Sequence, residues 1–229
     1  MSETMLHQTQ AARVALMYDE FIAQFPTPSA MAHAGPGRVI ATWGRLGYPR
    51  RARRLWESAV TIDTEGWPGD LDRLPGVGRY TAGAVAAQAD GIDVPAVDVN
   101  IRRVVERVRG TRLTAAEADR AMVDVGAPLR ARDRLLALMD LGALVCRARE
   151  PGCDECPLHD NCSTRGPLAD ERRSRQAPFV GSFRQRRGIV MARLREGPAQ
   201  AREVDVEALA SLVEDGLAVV DDGIASLPG

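Results

Sequence analysis

The sequence predicts an all-α fold closed by a small winged-helix-like appendix, and three observations carry that expectation. Apolar residues recur at helical spacing along most of the 229 residues, Gly and Pro divide them into short segments, and alternating apolar patterns are nearly absent. The exception is LAVVDDGIASLPG, where two short apolar runs flank Asp221-Asp222-Gly223 as in a β-hairpin. At 45% hydrophobic content the chain can bury a real core, and its length suits one large domain or two unequal ones.

Taken in order, residues 9–25 read as an amphipathic helix, with Val14, Met17, Tyr18, Phe21, Ile22 and Phe25 at helical spacing before the Pro26-Thr27-Pro28 break. Short helices are expected at 37–47, 50–62, 70–74 and 78–90. The helix at 100–109 turns Ile101, Val104, Val105 and Val108 to the core and stops at Gly110, and Thr114 caps the next one. Residues 131–145 put Leu136, Met139, Ala143 and Leu144 on one face and run into a cysteine-rich loop; 164–184, rich in Arg, Ser and Pro, read as a linker. The segments RGIVMARLREG and VEALASLVEDG precede the hairpin, which is the order of a winged helix.

The formal net charge of −1 hides an uneven distribution. Residues 21–56 hold Arg38, Arg45, Arg50, Arg51, Arg53 and Arg54 without an acid, and residues 172–195 hold eight arginines, again without one. The acids collect near the C-terminus, in Glu203, Asp205, Glu207, Glu214, Asp215, Asp221 and Asp222. No apolar run nears the roughly 20 residues of a membrane span, and the N-terminus lacks the basic-then-apolar order of a signal peptide. A cytoplasmic protein is expected. All 30 basic residues are arginine, so a lysine Schiff base is excluded.

Three constellations bear chemistry. Cys146, Cys153, Cys156 and Cys162, the whole cysteine complement, lie in seventeen residues as C-x6-C-x2-C-x5-C. Four thiolates from one loop suit either zinc or an iron–sulfur cluster. In LPGVGRYTAGA, Leu74 to Gly78 join two helices through a turn that glycine makes without steric cost, and N–H groups there form a sequence-independent phosphate cradle; an ordinary helical corner is the plainer alternative. In VPAVDVNIRRV, Asp98 reads as a helix N-cap. That does not exclude chemistry, since a carboxylate so placed is rigid and kept ionised, as a group facing a developing cation must be.

Taken together, SETMLHQTQ, LGYPRRARRL, LPGVGRYTAGA, VDVNIRRV, MDLGALVC and the cysteine loop resemble the helix-hairpin-helix (HhH-GPD) DNA glycosylases, most closely the MutY-type adenine glycosylases in their shorter actinobacterial form. The likeness covers roughly residues 1–165, in order. It implies a two-lobed helical enzyme with a 4Fe-4S cluster on the four cysteines, zinc being the second choice. Its implied partner is double-stranded DNA with a mismatched or 8-oxoguanine-paired base, met by a monomer in the nucleoid-associated cytoplasm. The implied reaction hydrolyses the N-glycosidic bond of adenine and leaves an abasic site. Residues 1–109 would form the helix-hairpin-helix lobe, 110–165 the cluster lobe, 166–184 a linker and 185–229 the appendix.

The resemblance also assigns residues. Asp98 matches the catalytic aspartate, Asn100 its polar partner, and Glu3 the acid that protonates adenine. A purine leaves once its ring nitrogen is protonated, and the sugar then carries oxocarbenium charge that a carboxylate stabilises, so Glu3 must be shielded and Asp98 charged. Gln8, with His7 or Thr9 beside it, would fill the gap left by the extruded base. Tyr48, Arg50 and Arg51 would approach the strand, and Leu74, Gly76, Val77, Gly78 and Arg79 would form the phosphate-binding hairpin. Tyr80 stands where strand-cutting relatives carry lysine, but thymine-releasing mismatch glycosylases share it. Thymine release, and a non-enzymatic iron–sulfur DNA-binding module, therefore remain as alternatives. His33 and His159 are assigned to surface or packing.

The sequence departs from the family twice. The aromatic and basic segment that precedes SE is missing, so Met1 is expected to be an internal GTG codon read as a start. The 8-oxoguanine-recognising domain is replaced by about 45 residues of winged-helix-like sequence, which leaves the opposing-base preference open.

Overall fold

The computed structural model describes residues 1–171 and 178–229; residues 172–177, in the expected linker and at the start of the second arginine-rich stretch, lie outside them. In chain order the helices are α1 (Ser2–Leu6), α2 (Ala11–Gln24), α3 (Pro28–His33), α4 (Pro36–Trp43), α5 (Arg50–Glu65), α6 (Arg79–Ala89), α7 (Val99–Arg109), α8 (Ala115–Val125), α9 (Ala131–Asp140), α10 (Phe183–Glu196) and α11 (Val206–Glu214). The strands are β1 (Ala199–Gln200), β2 (Val219–Asp221) and β3 (Ile224–Ser226), in the order β1-β3-β2 and antiparallel throughout. Among the described residues no helix is long and apolar enough to cross a membrane.

The chain forms two compact units, residues 1–76 with 178–229, and residues 77–171. The first is organised around Phe21, which meets Phe25 and Trp43 edge-on at centroid distances of 5.0 and 5.9 Å. Helix α3, absent from the sequence expectation, starts where the Thr27 hydroxyl accepts the Ala30 N–H at 3.1 Å and Pro28 supplies the fixed φ of a first helical residue. The winged-helix-like segment is built into this unit. Val190, Met191, Leu194, Leu209, Leu212 and Leu217 share one core with Met5, Phe21, Ile40 and Trp43. A Cβ on Gly37 would stand 2.1 Å from the Pro228 carbonyl oxygen, so the chain closes on α4 with room for a hydrogen only.

The acids of this segment neutralise the arginines. Asp215 pairs with Arg50 and Arg187 through its carboxylate, while its carbonyl accepts from Arg53 at 2.7 Å. Burial pushes the Asp215 carboxyl up, but the hydrogen bonds from Arg50 and Arg187 outweigh it and hold the group below the usual range. Arg186 bridges Asp205 at 3.0 Å and Glu207 at 2.8 Å.

In the second unit, α6 to α9 enclose Ala84, Ala96, Ile101, Val105, Met122 and Leu135. Residues 77–109, grouped with the first lobe on the sequence, pack here because their apolar faces belong to this core. Helix α8 begins with a reciprocal Thr114–Glu117 capping box. Helix α9 corrects its expected face: Leu135, Leu138 and Leu141 are buried and Leu144 is exposed. Two causes act. Arg134, buried against Asp93, lies on the inner face, where apolar periodicity does not register it, and a π turn over Leu141–Val145 rotates Leu144 outward.

Candidate functional site

Each unit carries part of the predicted constellation. In the first, Glu3 lies on α1 at 9% exposure and is followed by buried Thr4 and Met5. A five-residue helix has no stability of its own, and Arg51 supplies an anchor. Its guanidinium donates to the carbonyls of Thr4 (2.9 Å), Met5 (3.2 Å) and His7, to the Thr9 hydroxyl (2.9 Å), and to the carbonyls of Leu46 and Gly47 (3.1 Å each), and it packs over the Trp43 and Tyr48 rings. Arg51, expected on phosphate, is therefore turned inward; a planar fork of five donors suits converging carbonyls as well as it suits phosphate. Burial and the Arg51 charge lower the His7 pKa against the opposing charge of Glu3. Thr9 faces inward too, donating to the Leu46 carbonyl at 3.1 Å, which leaves Gln8 exposed at the tip with a left-handed φ of 52°. Tyr48 is exposed, and Arg50 is tied to Asp215.

At the predicted hairpin, Gly76 has φ 78° and its N–H meets no backbone carbonyl among the described residues. Ser58, buried on α5, donates to the Pro75 carbonyl at 2.8 Å. The Leu74 side chain is buried, and its N–H donates to the Leu71 carbonyl at 3.1 Å. Val77 is half-buried, Gly78 is exposed as the N-cap of α6, and Arg79 pairs with Asp119.

In the second unit, Asp98 caps α7. Its Oδ1 accepts the Ile101 N–H at 2.7 Å, and Oδ2 accepts from Asn100 Nδ2 at 2.9 Å. Asn100 Oδ1 in turn accepts from Arg103 Nη2 at 3.0 Å, and Arg103 also donates to the carbonyls of Cys146 (2.7 Å) and Gly142 (2.5 Å). One chain of hydrogen bonds thus runs from the carboxylate to the first cysteine of the loop. Two glycines seat it: a Cβ on Gly83 would meet the Pro95 carbonyl oxygen at 2.9 Å, and one on Gly142 would meet Asn100 Cβ at the same distance. Tyr80 is half-buried, its hydroxyl 3.6 Å from Met139 Sδ, and Val99, beside Asp98, is 73% exposed. Arg103 was missed on the sequence. Its only signal is the i,i+3 spacing from Asn100 on α7.

The four cysteines line a single recess of about 310 Å³ of empty space, partly open to solvent, together with Arg107 and His159. Burial raises the Cys146 thiol pKa, and its charge is favoured by Arg107, whose Nη1 lies 3.4 Å from Sγ. Arg107 is itself held by Glu171 at 2.8 and 3.0 Å. Burial, then the neighbouring thiols, raise Cys153. The lining offers four sulfur donors and no carboxylate, the donor chemistry of a zinc or iron–sulfur site and not of a hard cation, although among the described residues no three such side chains are gathered closely enough to hold a metal ion.

Residues 1–127 match the family model described as HhH-GPD superfamily base excision DNA repair protein. The chain belongs to that superfamily. It is 42% identical over 256 aligned positions to the adenine DNA glycosylase of Mycobacterium tuberculosis H37Rv, covering 100% of this chain and 84% of the relative. The enzyme of the same name from Mycolicibacterium smegmatis is 42% identical (94% and 82% covered), and the human one 36% (79% and 36%). Among solved structures, a thermostable thymine-DNA glycosylase superposes with a TM-score of 0.64 at 28% identity, covering 72% of this chain and 81% of that one. A trapped endonuclease III–DNA covalent intermediate gives 0.62 at 23% over the same shares and shows the fold alone.

Within this superfamily fold, the Arg103 link yields a prediction. Arg103→Lys keeps the charge but not the fork, so it cannot hold Asn100, Gly142 and Cys146 together. Single-turnover base release is expected to fall about 10–100-fold, the usual cost of losing an outer support, with duplex affinity unchanged.

Proposed function

We propose that the chain is a monofunctional adenine DNA glycosylase of base excision repair, hydrolysing the N-glycosidic bond of adenine opposite 8-oxoguanine or guanine. The observation that carries this reading is the likeness, along the whole chain, to proteins named adenine DNA glycosylases. Glu3 is the acid that protonates a ring nitrogen of adenine as the glycosidic bond breaks, and its burial at 9% exposure supports a fixed position for that group. Asp98 faces the oxocarbenium charge that develops on the sugar. Its two hydrogen bonds, from a backbone N–H and from Asn100, fix it in place. Tyr80 supplies no amine, which agrees with release of the base and no strand cleavage. Gln8 enters the stack where the base has left, and Tyr48 and the Gly76–Gly78 turn follow the backbone of the DNA duplex.

Cys146, Cys153, Cys156 and Cys162 hold a 4Fe-4S cluster, with zinc the second candidate. Such a cluster would cross-link the loop that carries the Cys146 carbonyl and take no part in bond breaking. A thymine-releasing enzyme is the second reading, favoured by the likeness to a thymine-DNA glycosylase structure.

The test is base release from duplexes carrying A opposite 8-oxoguanine, A opposite G, and T opposite G. Adenine release from the first two and none from the third is expected; thymine release alone would replace this reading with the second.

A further inference from the structure

Helix α5 carries Arg50, Arg51, Arg53 and Arg54 in five residues, and their surroundings differ. Arg50 is paired with Asp215, Arg51 is turned inward onto carbonyls, and Arg53 bridges Glu57 at 2.9 Å and the Asp215 carbonyl at 2.7 Å. Arg54 is exposed and has neither ion pair nor hydrogen bond among the described residues. Its stem is nonetheless guided. A Cβ on Gly76 would stand 2.8 Å from Arg54 Cβ and 3.0 Å from Cδ, so the hairpin turn lies directly on the arginine stem and only glycine leaves room for it. One helical turn further along α5, the Ser58 hydroxyl holds the Pro75 carbonyl at 2.8 Å. The pair at i and i+4 thus fastens the turn to α5 at two points.

We propose that Arg54 is the arginine of α5 that contacts the DNA backbone, steered there by the Gly76 turn, while Arg50, Arg51 and Arg53 hold the unit together. The proposal rests on the reading of the chain as a DNA glycosylase. A guanidinium with all its donors open, on a stem already confined by packing, presents a planar fork to phosphate and loses little further freedom in binding. Neutralising one phosphate releases about one counterion, so each such contact adds about one to the slope of log affinity against log salt.

The test measures affinity for an undamaged duplex and for one containing A opposite 8-oxoguanine, across a sodium chloride series, for the wild type, Arg54→Gln and Arg54→Lys, with the urea midpoint of each. Arg54→Gln is expected to lower the slope by about one on both duplexes alike, and Arg54→Lys to restore most of it, with midpoints unchanged. An unchanged slope in Arg54→Gln, whether or not the midpoint falls, overturns the proposal and leaves the glycosylase reading standing. A wild type whose affinity does not respond to salt overturns both.

Discussion

Asp98→Asn is expected to abolish base release while leaving the fold in place. Asparagine caps a helix about as well as aspartate, so the Ile101 N–H keeps an acceptor and α7 loses little stability. The charge is gone, and with it the group proposed to face the developing cation. Removing one group aimed at transition-state charge costs roughly 10²–10³-fold in turnover, and here a full charge is lost, so at least that is expected. A second effect adds to it. The new amide must direct its oxygen to Ile101 and its NH2 towards Asn100 Nδ2, so Asn100 has to rotate its own amide, which then presents a donor to the donor of Arg103. The disturbance reaches the link to Gly142 and Cys146. Single-turnover release from A opposite 8-oxoguanine, measured beside a urea unfolding curve, checks both parts: lost activity at an unchanged midpoint is the expected pair of results, and retained activity would remove Asp98 from the chemistry.

Glu3→Gln should be the second largest loss, and a selective one. Glutamine has the shape of the acid and fits a position 9% exposed, so the burial of α1 and its anchoring by Arg51 survive. What it cannot do is give up a proton. General acid catalysis is worth about 10²–10⁴-fold, and adenine release is expected to fall by that factor while duplex affinity and its salt slope stay as in the wild type. Thymine needs no such acid at this residue. Thymine release that persisted in Glu3→Gln from a T opposite G duplex would identify the enzyme as thymine-releasing, whereas equal loss on both substrates would point to a structural role for Glu3.

Much of the site was legible because some motifs carry their physics locally. An aspartate before an apolar helix face is a cap wherever that helix packs, and four cysteines on one loop converge because the loop is short. The family and the helical fold followed from several such motifs in order. Arg51 was not legible in the same way: an arginine bound for carbonyls and one bound for phosphate look alike until the acceptors are known. The face of α9 was misread because a buried Arg134 and a π turn both break apolar periodicity. Arg103 needs Gly142 and Cys146 brought to α7, a pairing across some forty residues that no spacing rule reaches. The helices of the last segment were expected, but periodicity tells which face is buried and not what covers it, so their place in the first core was not.

That shared core imposes an order on folding. The first unit draws its core from two stretches of chain separated by the entire second unit, whereas the second is contiguous. On the ribosome, residues 1–76 emerge with Met5, Ile40 and Trp43 still lacking Met191, Leu209, Leu212 and Leu217, so this core cannot close until α10 and α11 follow. Residues 77–171 need not wait. Once they have folded, the roughly hundred-residue loop that would otherwise have to be closed is already a compact body, and the entropic cost of bringing the two stretches together falls. The core of the unit bearing Glu3 is thus completed only when α10 and α11 join it.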